Sequence, residues 1–271
     1  MRSLRSMSAV LVSALLTLAS VVADAYAAPL NRCQAIAQSS SFVRPVSTRP
    51  ASLAQGEVRI TFIGHSTFLI ESQRGVKIAT DYNDVVRPSG IPDIVTMNRA
   101  HSTHYTDYPS PDIKYVLRGW NPSGGPARHD IEYKDVNIRN VPTNIRDWGG
   151  NAISYGNSIF IFEIAGLCIG HLGHLHHTLN PEQIAAIGQL DVVLVPVDGG
   201  YTMDVAGMID VLRALRARLI IPMHYFNSYT LARFTEKIKD EFPIEHAPTP
   251  MIVVSKSTLP DEAKVLILPG Q

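Results

Sequence analysis

An excess of charge of either sign is the first thing this 271-residue chain lacks, because 24 Lys and Arg balance 24 Asp and Glu. That balance removes the electrostatic footprint of a nucleic-acid binder, so the expected partner is a small or neutral molecule and not nucleic acid. Cysteine is scarce as well. Only Cys33 and Cys168 occur, and neither sits in a C-x-x-C pair, so no thiolate zinc site is suggested. Cys168 falls in the apolar run 164–169, where a buried thiol packed as a small hydrophobe is expected rather than a disulfide to Cys33. No apolar run reaches the roughly 20 residues that a membrane-crossing helix needs. The 45% hydrophobic content is ample for one globular domain or two compact halves.

The first thirty residues read as an address. Arg2 and Arg5 precede an apolar stretch from Ala9 to Val22, and Ala25-Tyr26-Ala27 has the form of an A-x-A cleavage site. A secretory signal over 1–28 is expected, with periplasmic or secreted delivery and no stable membrane association after cleavage. Residues 29–56, rich in Ser, Pro and Arg, read as a linker or arm. The domain is expected over 57–271.

Histidine is what the chain has in concentration. Cys168 to Thr178 reads C-I-G-H-L-G-H-L-H-H-T and places His171, His174, His176 and His177 within seven residues. His174 and His176, two apart, share a side in an extended segment; His171, His174 and His177, three apart, share a helical face. Either conformation aims at least two imidazoles at one point, and imidazole is the commonest neutral metal ligand. His101 and His104 follow a short apolar strand from Ile94 to Met97, and His224 follows another from Leu219 to Pro222. Loops after buried strands carry chemistry because rigid backbone holds them.

Around these histidines the pattern is strand-like and then alternating. Val58, Ile60 and Phe62 alternate with polar residues, and strands at 68–70 and 76–80 make a short meander. His65, at the first turn, is equally suited to capping it and to touching a ligand. The Pro- and Gly-rich stretch 107–128 is expected to be an irregular loop. Strands are expected at 136–141, 158–163 and 166–169. A helix then opens at Asn180 with Pro181 in its first turn and Gln183 completing a capping box. A buried strand at 191–197 leads to a second helix capped by Asp204, and a third helix is expected over 230–241.

A meander followed by strand–helix alternation, with histidines at three successive strand ends, resembles the metallo-β-lactamase superfamily, in the branch of ascorbate-phosphate lactonases. The resemblance runs from about Val58 to Leu268. It implies an α/β (α+β) fold, a four-layer αβ/βα sandwich of two mixed sheets flanked by helices, with a metal site along one edge. The family's strand ends in T-H-x-H-x-D-H after Pro-Asp. Here Pro92-Asp93 leads to Asn98-Arg99-Ala100-His101-Ser102-Thr103-His104, so Arg99 replaces the first histidine and Thr103 the aspartate. A further family histidine would fall near Asn144 and is missing. The family's G-D stretch reads H-L-G-H-L-H-H, which puts His174 at the place of the bridging aspartate, and His224 matches the final histidine.

What the resemblance implies is therefore one divalent metal ion held by His104, His174 and His224, with His101 or His176 completing or flanking it. Three neutral nitrogens with an open position describe a catalytic zinc site; iron, nickel and manganese also suit imidazole. Water bound there is expected to be acidified enough to attack an ester, lactone, amide or phosphoester. Arg99 is expected to replace the missing metal as electrophile, or else to form a structural ion pair. Asp81, Asp107 and Asp198, with His171 and His177, are candidates for orienting the ligands. The other readings are a metal-binding or sensor protein of the same fold without turnover, and a metal-free relic.

Overall fold

The computed structural model describes Cys33 and residues 52–270. The expected signal and most of the expected arm lie outside the described residues. Among the described residues, fourteen strands and three helices follow in order. The first sheet contains β1 (Val58–Gly64), β2 (Thr67–Glu71), β3 (Lys77–Ala79), β4 (Ile94–Met97) and β5 (Tyr115–Arg118). The second contains β6 (Asp130–Tyr133), β7 (Val136–Arg146), β8 (Ala152–Ile164), β9 (Leu167–His171), β10 (Val192–Pro196) and β11 (Leu219–Met223), together with β12 (Ile244–His246) and β14 (Lys264–Ile267). The remaining strand, β13 (Met251–Val254), returns to the first sheet beside β1. Both sheets are mixed. β3, β4 and β5 are parallel, as are β9, β10, β11, β14 and β12, while β1–β2 and β6–β9 pair antiparallel.

Burial follows from the alternation of side chains along each strand. Val192 and Leu194 of β10 join Ile60, Phe68, Ile78 and Phe160 in the core between the sheets. Val193 and Val195 of the same strand face the other way, against the helices. A parallel strand covered on both faces must be apolar throughout, which is why β10 reads V-V-L-V-P. The helices α1 (Pro181–Ile187), α2 (Val205–Leu215) and α3 (Ser228–Ile238) cover that outer face with Ile187, Met208, Leu212, Phe234 and Ile238. On the outer face of the other sheet, Tyr82, Ile113 and Trp120 from loops pack on Ala79, Val95 and Met97. Among the described residues no helix is long and apolar enough to cross a membrane.

The capping box at α1 is formed as expected: Gln183 N donates to Asn180 Oδ1 at 2.7 Å, and Asn180 N donates to Gln183 Oε1 at 3.1 Å. Asp204 caps α2 through Gly207 N at 3.0 Å. The third helix starts two residues before its expected position, because Asn227 forms its own box with Thr230.

Two expectations are corrected. The stretch 107–128 is not irregular throughout, since β5 pairs with β4 in parallel register; its four residues are too short for alternation to stand out among Pro and Gly. Cys168 is not a free thiol. It is bridged to Cys33, with Cα atoms 5.9 Å apart. The apolar surroundings of Cys168 were legible, but its partner lies 135 residues away, and sequence pattern carries no information about that approach. Cys33 is buried against the helix-side core, and its carbonyl accepts from Gln189 N at 3.1 Å.

Topology decides where the site lies. β1, β3 and β4 run in one direction, and β9, β10 and β11 are mutually parallel. The C-terminal ends of these strands release His65, Asp81, His101 and His104 from one sheet, and His174, Asp198 and His224 from the other. His224 N donates to His65 O at 2.6 Å, which ties the two rims together. Ligands of open α/β sheets collect at such ends.

Candidate metal centre

Four imidazoles meet here. His101, His104, His174 and His224 each offer a nitrogen, and the four atoms lie within 4.8 Å of one another. His104, His174 and His224 are buried, and His101 is half-buried. The shortest separations pair His101 Nε2 with His174 Nε2 at 3.0 Å and His104 Nε2 with His224 Nε2 at 3.1 Å. Ligands about 2.0–2.1 Å from a tetrahedral ion stand about 3.3 Å apart, so both pairs are close to a shared-ion spacing.

Hydrogen bonds behind the rings show what the inner nitrogens carry. His224 Nδ1 donates to Asp198 Oδ1 at 3.0 Å, and His104 Nδ1 donates to Asp81 Oδ2 at 2.6 Å with Ser66 Oγ at 3.2 Å. With the proton on Nδ1 in each ring, both Nε2 atoms present lone pairs to one another. Two facing lone pairs repel unless a cation lies between them. This donor set therefore fits a divalent transition metal.

Electrostatics point the same way. Burial, reinforced by neighbouring histidines, holds His104 and His174 well below the ordinary imidazole value; burial also lowers His101. Burial and the nearby His224 bring His65 down to about 3. Burial opposes ionisation of Asp198, yet bonds from His224, Thr202 and Gly200 keep its carboxyl well below the usual range. Burial pushes Asp81 up, against His171 and the bonds from Asn98 and Ser66. A cation beyond His104 is the charge that such a carboxylate lacks.

The local backbone is bent to deliver these groups. His65, Asp81 and His224 have φ of 51°, 41° and 55°, in the left-handed region that costs non-glycine residues energy. Gly173, at φ 59°, occurs where a Cβ would collide with the side chains of Asn98 and Asn157. Those two amides clamp the centre. Asn98 Nδ2 donates to Asp81 Oδ1 at 3.0 Å while its Oδ1 accepts from Ser158 N at 2.8 Å. Asn157 Oδ1 accepts from His174 N at 2.8 Å. Neither stands out in the sequence, since Asn98 follows a strand end like a turn residue and Asn157 is a single polar residue within β8.

The other sequence candidates fall into distinct places. His176 stacks behind His174, with Nε2 2.5 Å from His174 Nδ1, while its Nδ1 accepts from Arg146 N and Nε. His171 is a strut: Nε2 donates to Ser66 O at 2.9 Å and Nδ1 accepts from Gly173 N at 3.1 Å. His177 is engaged at both nitrogens, with Thr178 O and Asn144 N. Arg99 is exposed, and its backbone N–H bonds to Gly156 O at 3.0 Å. Asp107 is exposed on the following loop. Thr103, at the aspartate position of the family motif, bridges His101 Nδ1 at 2.8 Å and His65 Nε2 at 3.0 Å. His65 thus belongs to the site, with its ring 4.2 Å from that of His224.

One expected result follows from the carboxylate behind His104. Asp81→Asn keeps the shape but leaves one acceptor oxygen for two donors, Asn98 and His104. Metal affinity should fall about 10–100-fold, as for other partners of metal-bound histidine. Competition with a chromophoric chelator measures it, and an unchanged affinity would make Asp81 a purely structural residue.

Residues 59–224 match the family described as the Beta-lactamase superfamily domain. The chain is 27% identical over 213 residues, 68% of its length and 89% of the other's, to a UPF0173 metal-dependent hydrolase of Archaeoglobus fulgidus. A second UPF0173 metal-dependent hydrolase, from Thermoplasma acidophilum, is 25% identical over 65% of this chain and 86% of its own. Among solved structures, one from Thermotoga maritima described as a Zn-dependent hydrolase of this superfamily matches with TM-score 0.58 and 29% identity. It covers 79% of this chain and all of its own. With the family model spanning more than half the sequence and the fold matching as well, the chain belongs to the metallo-β-lactamase superfamily.

Proposed function

We propose that this protein is a metal-dependent hydrolase acting on an ester, lactone, amide or phosphoester of a small molecule. The observation that carries the reading is the convergence of four imidazole nitrogens, two of them backed by buried carboxylates. Relatives named metal-dependent hydrolases support it. His104, His174 and His224 would hold the ion, with His101 beside them; zinc suits the all-imidazole set best, ahead of iron, nickel or manganese. A divalent ion there supplies Lewis acidity towards a carbonyl or phosphoryl oxygen and acidifies water.

The residues around it set the geometry. Asp81 and Asp198 hold His104 and His224 in the tautomer that leaves Nε2 unprotonated. The Thr103 hydroxyl fixes His101 and His65 together, so His65 offers a neutral ring at the edge of the centre. Arg99, exposed on the loop between β4 and His101, is assigned to developing negative charge on the reacting oxygen. Asp107, equally exposed, is left without a part in this scheme. The bridge to Cys33 and the A-x-A sequence together favour an oxidising, periplasmic or secreted setting.

The test is a panel of esters, lactones and phosphodiesters offered to the mature protein with zinc, then iron or manganese. About one equivalent of metal and metal-dependent cleavage of at least one class are expected. Arg99→Ala should leave metal content unchanged and lower kcat by about 10²-fold; an unchanged kcat would make Arg99 structural. One observation favours a second reading, a metal-binding or sensor protein without turnover. No carboxylate is among the four grouped ligands, because Asp81 and Asp198 are both spent on histidines. Full metal loading with no cleavage across the panel would decide for it.

A further inference from the structure

Three exposed aromatic rings line the approach to His101, and each comes from a different loop. Trp148 is 87% exposed, Tyr201 55% and Phe226 51%. Together with His101 they border one cavity of about 380 Å³. The rings form a continuous series. Trp148 meets Tyr201 edge-on at 6.3 Å, Tyr201 meets Phe226 at 5.4 Å, and Phe226 lies 5.4 Å from His224 and 5.7 Å from His65. Large rings left in water side by side mark a binding surface, whereas scattered ones need no explanation.

The backbone that carries each ring is fixed by hydrogen bonds. Trp148 sits in a turn where Asp147 Oδ1 accepts from Gly149 N and Asn151 N, each at 2.8 Å. Tyr201 N donates to Asp198 Oδ2 at 2.5 Å, so the carboxylate that orients His224 also fixes the backbone bearing this ring. Phe226 N donates to Thr230 Oγ1 at 3.1 Å, at the cap of α3. Loops already fixed in this way need little further ordering of their backbone on binding.

The charge of the occupant is constrained as well. The cavity lining contains no Lys, Arg, Asp or Glu. Arg146 is outside the lining, and its guanidinium donates from Nε to His176 Nδ1 at 3.2 Å and from a terminal nitrogen to Thr202 O at 2.9 Å. A carboxylate or phosphate lodged among the three aromatic rings would lose hydration without gaining a charged partner there.

We infer that this cavity binds an uncharged aryl group of the substrate, stacked among Trp148, Tyr201 and Phe226, with the bond to be cleaved directed towards His101. This rests on the hydrolase reading and narrows it: among esters, amides and lactones, those of aromatic, uncharged character are selected. The cavity size suits a one- or two-ring group.

The experiment separates binding from turnover. Zinc-loaded protein is titrated by calorimetry with three ketones that cannot be hydrolysed: 2-acetonaphthone, its decahydro counterpart, and 6-acetyl-2-naphthoate. The naphthyl ketone should bind about fivefold tighter than the saturated one, in line with ring–ring contacts beyond simple burial. It should also bind at least about tenfold tighter than the carboxylate. Trp148→Ala and Phe226→Ala should each weaken it by about tenfold, and their exposure keeps the fold intact. Equal binding of the saturated ketone, or indifference to both substitutions, overturns the inference. Ester cleavage that persists under that result leaves the hydrolase reading standing. Tight naphthyl binding without cleavage of any ester would sink the hydrolase reading and keep the aryl site.

Discussion

His224→Ala should abolish metal binding and, with it, metal-dependent hydrolysis. The substitution removes one of the two Nε2 atoms that face each other at 3.1 Å and leaves Asp198 without the ring it orients. Losing a directly ligating nitrogen should cost more than the 10–100-fold attached to a residue behind a ligand. A loss of at least about 10³-fold in affinity is expected, with turnover falling in parallel. His104→Ala and His174→Ala should behave alike. His177→Ala should not, because both its ring nitrogens are already bonded to Asn144 N and Thr178 O. Metal content of the purified variants, measured by mass spectrometry, separates the groups. Full occupancy in both His174→Ala and His224→Ala would refute the ligand assignment, even if activity were lost.

How far this centre could be read from sequence differs from residue to residue. His104, His174 and His224 were legible because each follows a short apolar strand, and buried parallel strands deliver their following loops to one edge. Proximity in sequence put His176 beside the ligands, completing or flanking the ion, and His177 among the groups that orient them. The fold separates their parts: His174 joins the grouped nitrogens, His176 flanks it through His174 Nδ1, and His177 is bonded to Asn144 N and Thr178 O. His65 was ambiguous because a single histidine in a turn has no periodicity to read. Its place is fixed by β1 and β11, which meet through His224 N and His65 O although 159 positions separate the two residues. Asn98 and Asn157 carried no signal, as their value lies in bonds to residues distant in sequence, and Thr103 stood out only as the residue at the place of the family aspartate. Strands β6 and β12 escaped for a humbler reason. They are edge strands of four and three residues, half exposed, and alternation over so few positions is indistinguishable from chance. Where burial dictates residue type the architecture was readable. Where one hydrogen bond dictates position, it was not.

Reducing the Cys33–Cys168 bond should produce the largest loss of stability of any single covalent change in this chain. A cross-link stabilises chiefly by restricting the unfolded ensemble, and the effect grows with the logarithm of the loop it closes. Here the bonded residues are 135 apart, for which chain entropy gives about 5 kcal/mol as an upper figure; a realised loss of about 2–5 kcal/mol is expected. Against a total stability of about 5–15 kcal/mol that is a substantial fraction. The melting temperature of a domain of this size should fall by about 2–4 °C per kcal/mol. The Cys33→Ser, Cys168→Ser double variant should melt with the reduced protein, because both lack the same constraint. Metal affinity should change little in either, since Cys168 lies at the start of β9 and His174 beyond its end. Equal melting temperatures for oxidised and reduced protein would show that the bond adds nothing. Free thiols in protein recovered from the periplasm would remove the bond, and with it half the case for an oxidising compartment.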